Sequence, residues 1–225
     1  MLSIDIKDLP QVITAIGGLG TAAFGIVDAS KAVLGSLVNG IGFGGIQSTV
    51  ATLTPVGGGN TLPPKNILST LKANWCNGTD LSSQKSIAKS LIKLNLDPQN
   101  APTLASATNV DANILKAVAA KIAAGASLLA PESDVYARFD LIVTAKLDEA
   151  YQYADNAYRN WTRFLASLVA LGLAIAGGST LSGGFHQNLV PCILAGLLAT
   201  PIAPVAKDLS TALATAVNSM QSLKK

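Results

Sequence analysis

Residues 133–178 read SDVYARFDLIVTAKLDEAYQYADNAYRNWTRFLASLVALGLAIAGG. The run has no proline, and Gly172 is its only glycine before the closing pair. One helix of about 45 residues would be about 68 Å long. Apolar positions step by four and three along it: Val143, Leu147, Ala150, Ala154, Ala157, Trp161, Phe164, Leu168, Leu171, Ile175. That is a 3.5-residue period, the spacing of a coiled-coil seam. Followed backwards, the seam meets Asp140 and Tyr136. Acids stand four before bases at Asp134/Arg138 and Asp155/Arg159, as on a water-exposed helix. From Trp161 to Gly178 there is no acid. The sequence therefore predicts one helix that starts in water and ends in lipid. Tyr151, Tyr153, Tyr158 and Trp161 would form an aromatic belt at the boundary. The seam packs either on this chain's own helices or on the same helix of a neighbouring subunit.

The composition agrees with a membrane protein. Only 13% of the 225 residues are charged, and mean hydropathy is +0.42, against about 25% charged in soluble domains. Aromatics are 5%, and the apolar mass is largely Ala, Leu, Val, Ile and Gly, which suits close helix packing in lipid. A net charge of +3 is too small for a nucleic-acid footprint.

Two further spans are predicted. The first covers residues 12–27, VITAIGGLGTAAFGIV, with Pro10 suited to its first turn, and could continue to Leu37. It is short for a span, and its alternative is a segment lying on the membrane. The last covers 189–205, LVPCILAGLLATPIAPV, with kinks expected at Pro191, Pro201 and Pro204. The resulting plan is all-α and polytopic, with about three transmembrane helices and a small helical cytoplasmic domain. Its parts are 1–39 (first membrane helix), 40–132 (cytoplasmic region), 133–178 (long helix), 179–188 (extracytoplasmic loop), 189–205 (last span) and 206–225 (amphipathic tail). Arg159, Arg163, Lys207, Lys224 and Lys225 place residues 40–160 and the C-terminus inside by the positive-inside rule. The N-terminus has neither a basic n-region nor a small-residue cleavage site, so the first segment is expected to be retained.

In the cytoplasmic region, GIGFGG and PVGGGN read as loops, and TVATLT at 49–54 as a brief strand-like run. Neither glycine run has the context of a phosphate loop. Helices are expected from Pro63-Pro64 to Trp75, from Leu81 to Leu94, and from Ala112 to about Ala130, where Pro131 would break the last. DPQNAP reads as a turn. Lys85, Lys89 and Lys93 recur at four, as a solvated face or a contact with anionic headgroups.

Small residues four apart mark candidate helix-packing faces in each span: Gly17, Thr21, Gly25; Ala166, Ala170, Ala174; Ala195, Ala199. Asp140, Leu147, Ala154 and Trp161 join them as assembly candidates on the seam. Asp140 is either a paired core carboxylate or a partner for a neighbouring subunit's base. No cofactor is expected: His186 stands alone, and Cys76 and Cys192 read as free thiols. A catalytic site would need a second acid or base beside Asp140, and none is visible.

VYARFDLIVTAKLDEAYQ, followed by RNWT, resembles a segment of uncharacterised bacterial inner-membrane proteins with an N-terminal span, an Arg-Phe-Asp helix and a C-terminal transmembrane hairpin. The matching positions are Arg138, Phe139, Asp140, Leu147, Asp148, Arg159 and Thr162. Where related chains often repeat Phe-Asp, this one has Val143 and Thr144. The resemblance implies topology and a bacterial source, and no activity. The expected role is a non-enzymatic oligomeric scaffold or accessory subunit of a larger membrane complex, with lipids and protein subunits as partners and no nucleic acid. The alternative is a subunit of a pore or transporter formed between protomers.

Overall fold

The computed structural model describes residues 9–33, 40–55, 62–181 and 189–204. Among these every regular element is an α-helix. The order is α1 (Leu9–Val33), α2 (Phe43–Leu53), α3 (Pro64–Cys76), α4 (Leu81–Leu94), α5 (Ala101–Thr108), α6 (Ala112–Ala123), α7 (Ala130–Leu181) and α8 (Leu189–Pro204). The chain divides into two compact units. One comprises residues 35–158; the other comprises 1–34 and 159–225. Loop residues 182–188, with His186, and the predicted amphipathic tail lie outside the described residues.

Unit 35–158 is a conventional globular bundle. Phe43, Ile46, Val50 and Leu53 of α2, Ile67 and Leu71 of α3, Ile92 of α4, Leu104 of α5 and Leu115 of α6 all enter one core. Local chemistry starts each helix. Pro64 and Pro102 occupy first turns, where a missing N–H costs nothing. The Asp80 carboxylate accepts from the Ser83 N–H, and that of Asp111 from the Asn113 and Ile114 N–H groups.

Two expectations are corrected, and one helix is added after an expected turn. Residues 43–53 are helical rather than loop and strand-like, because Phe43, Ile46, Val50 and Leu53 recur at three and four and bury together. The DPQNAP turn leads into a further helix, α5. The helix begun at Ala112 ends at Ala123 behind Gly125, whose φ is +67°. Pro131 therefore sits in the first turn of α7 instead of breaking its predecessor. Gly42, at φ +89°, precedes α2, and a Cβ there would overlap the Ala154 carbonyl oxygen, so only glycine fits.

In the other unit, α1 and α7 each carry a run long and apolar enough to cross a membrane by length and composition. Helix α8 is apolar but shorter. Within helices of both units, many serine and threonine hydroxyls donate to carbonyls three or four residues back. Examples are Thr21 to Gly17, Ser30 to Val27, Thr108 to Leu104 and Thr144 to Asp140.

Candidate functional site

In unit 35–158 the face of α7 bearing Phe139, Val143, Leu147, Ala150, Tyr151 and Ala154 is buried. Of the two partners the seam could have, these positions take the chain's own helices: all but Ala150 belong to the core built by α2 to α6. Beside the seam lies an ionic ladder to α4. Lys85 Nζ is 2.6 Å from Asp148 Oδ1, Lys89 Nζ 2.6 Å from Asp140 Oδ2, and Lys93 Nζ 3.0 Å from Asp140 Oδ1. Lys93 also sits over the Tyr136 ring, 5.1 Å from its centroid. The lysine stripe is thus turned to α7 and half-buried, neither a fully solvated face nor a row free for headgroups. Asp140 is a paired carboxylate within this chain.

Partial burial alone would push the Asp140 carboxyl up. Hydrogen bonds from Lys89 and Lys93, and their charges, outweigh it and hold the group below its ordinary value. Burial likewise works against the Lys93 ammonium, but Asp140 and Tyr136 raise it above its usual value. Between Ser82, Lys85, Ser86, Lys89, Thr144, Leu147 and Asp148 a recess of about 250 Å³ remains.

The aromatic residues divide. Tyr151 is buried at 1% exposure, with its ring 6.4 Å from that of Trp75. Tyr158 meets Trp75 edge-on at 6.3 Å. Tyr151 therefore does not belong to a boundary belt: seam geometry turns it into the core. Its hydroxyl is buried with no hydrogen-bond partner among the described residues, and desolvation pushes it up to about 12. Tyr153 and Trp161 are exposed, and Trp161 meets Phe164 edge-on.

In the second unit the packed surfaces are built from small side chains. Buried positions are Gly17, Gly20, Ala23 and Val27 on α1, Ala166 and Ala170 on α7, and Gly196, Ala199, Thr200 and Ala203 on α8. Of the predicted faces, Gly17, Ala166, Ala170 and Ala199 are inside. Ala174 and Ala195 are half-buried, and Thr21 and Gly25 are exposed. The contact line of α1 steps three, three and four through Gly20 and Ala23, not four and four. Trp161, Phe164 and Leu168 of the seam are exposed in this unit, where α7 buries Ala166 and Ala170 instead.

Two glycines that the four-residue spacing missed meet the backbone of a neighbouring helix. A Cβ on Gly20 would overlap the Ala199 carbonyl oxygen and stand 3.0 Å from Ala203 Cβ. One on Gly196 would lie 2.6 Å from Leu171 Cα. Gly178 makes room for the Cys192 thiol. Ser167 Oγ bonds Thr200 Oγ1 at 3.1 Å, joining α7 to α8.

Among the described residues there is no group of three or more His, Cys, Asp or Glu able to hold a metal ion. Neither Cys76 nor Cys192 forms a disulfide among the described residues. No family model matches the sequence, and neither a curated protein nor a solved structure does.

Proposed function

We propose that the chain is an integral membrane protein in which α1, the second half of α7 and α8 lie in the bilayer. Residues 40–160 then form its aqueous, cytoplasmic part. One observation carries this reading: the two units distribute their apolar side chains in opposite ways. Unit 35–158 buries most of its large apolar side chains in one core, leaving Leu94, Ile122, Leu129, Leu141 and Tyr153 exposed. The other unit packs Gly and Ala inward and exposes Ile26, Trp161, Phe164, Leu168, Leu189, Val190, Leu194, Leu197 and Leu198. Only 22% of the apolar window of α1 and 11% of that of α7 is buried. Water would penalise that arrangement at about 25 cal/mol per Å² of apolar surface, whereas lipid does not. Close small-residue contact is also how helices gain packing energy where solvent supplies no hydrophobic drive.

Within that setting the chain acts as a structural or accessory subunit of a bacterial inner membrane, without catalysis of its own. The Ser167–Thr200 bond supports this over a pore, since it ties two hydroxyls of α7 and α8 to each other inside one protomer. The test is extraction of the expressed protein from membranes, then native mass spectrometry in nanodiscs. Retention through alkaline carbonate, and recovery as an oligomer or with a bound partner, is expected. Release by carbonate would overturn the membrane reading. Strictly monomeric particles with no partner would overturn the accessory reading.

A further inference from the structure

Within unit 35–158, on nearly the opposite side of α7 from the ionic ladder by helical arithmetic, an open groove of about 510 Å³ runs between α2 and α7. Its lining is Gly45, Ser48, Thr49 and Thr52 of α2, and Lys146, Glu149, Ala150 and Tyr153 of α7. Small-molecule sites span about 300–1,000 Å³. Spacings of three and four put the α2 residues on one face, and the α7 residues on one face.

Three features give the groove a chemical sense. First, Lys146 and Glu149 lie one turn apart, yet neither forms an ion pair with another described residue. The three lysines of α4 are all paired with α7 on its other side, so here a cation and an anion stand side by side with their charges uncommitted. Second, the Ser48 hydroxyl donates to the Gly45 carbonyl at 2.9 Å, and that of Thr52 to the Thr49 carbonyl at 2.7 Å. Their protons are committed to the helix, so both oxygens offer lone pairs outward. Third, Tyr153 is 69% exposed at the rim. Gly45 keeps the floor open beneath it, since a Cβ there would come to 3.3 Å from the ring.

Acceptors at Ser48, Thr52 and Glu149 suit an ammonium group. Lys146, about 5–6 Å away between Cβ atoms, suits a carboxylate. A polyanion would meet Glu149 and a polycation would meet Lys146, so both are disfavoured. We propose that this groove binds a small zwitterion of dipeptide size. Its ammonium sits on Glu149, Ser48 and Thr52, its carboxylate on Lys146, and its side chain lies against Tyr153. The proposal is independent of the membrane reading.

The experiment is calorimetric titration of the full chain in detergent with three probes: glycylphenylalanine, its N-acetyl derivative and its C-terminal amide. Saturable binding of the first is expected, with each blocked form weaker by about fivefold or more. Glu149→Gln should erase discrimination against the acetylated probe, and Lys146→Gln discrimination against the amide. Gly45→Leu should abolish binding by filling the floor. Absence of saturable binding at millimolar dipeptide, or equal binding of all three probes, overturns the proposal. Both charge variants alter surface side chains of helices held by their other faces, so circular dichroism should confirm an unchanged fold.

Discussion

Replacing Gly196 and Gly172 by alanine, separately, isolates the close helix contact in the small-residue unit. A Cβ on Gly196 would lie 2.6 Å from Leu171 Cα and 3.1 Å from its amide nitrogen. Carbon atoms in comfortable contact are about 3.5–4.0 Å apart, so the overlap is about 1 Å. The obstructing atoms are backbone, and no rotamer change relieves them. Helices α7 and α8 would have to separate, and overpacking of this kind costs about 1–3 kcal/mol. Gly172, on the same helix as Leu171, has nothing within 4 Å of its built Cβ. Both substitutions gain the same helix propensity, about 1 kcal/mol, which cancels between them. The difference in stability between the variants is therefore expected to be about 1–3 kcal/mol in favour of Gly172→Ala. Dodecyl sulfate titration in mixed micelles reads it, with pulsed thiol labelling of Cys192 followed by peptide mass. Cys192 packs against Gly178 in this unit, so its labelling reports opening of the α7–α8 contact. Equal midpoints for the two variants would refute the reasoning.

Asp140→Asn should lower the urea stability of unit 35–158 by about 1–3 kcal/mol, because two half-buried lysines lose a charged acceptor. Since the folded Asp140 carboxyl lies below its ordinary 3.8, its contribution is present above that pH and lost as pH falls through the lower folded value. The gap between wild type and variant should be constant above about pH 5 and close in stronger acid; a gap that widens in acid would contradict the pairing. Tyr151→Phe should leave stability unchanged or raise it by up to about 1 kcal/mol, because the hydroxyl it removes is buried without a partner. In an alkaline absorbance titration the same substitution should delete a tyrosine that ionises at about 12.

The parts of the fold that could be read from sequence are those governed by local chemistry. Helix α4 follows from the apolar spacing between Leu81 and Leu94, and its ends match expectation. Helix α2 does not, because glycines and β-branched residues at 44–54 have weak helix propensity. Burial of Phe43, Ile46, Val50 and Leu53 overrides that propensity, and such burial is a tertiary fact. Each half of the ionic ladder was visible, as lysines at four and an acid on the seam. Their union was not, since Lys89 and Asp140 are 51 residues apart. Gly20 and Gly196 escaped a search at strict spacing of four. On α1 the signal was present as Gly17, Gly20 and Ala23, at three and three, and a search over both steps would have found it.

The hydroxyls bonded to their own helices have a wider consequence. A serine or threonine of that kind carries its solvation with it, and asks little of whatever medium surrounds it. Helices of both units can therefore hold such residues on any side at similar cost. Along this chain, hydroxyl content is a poor compass for the environment of a helix. Formal charge, which no backbone carbonyl can neutralise, is the better one.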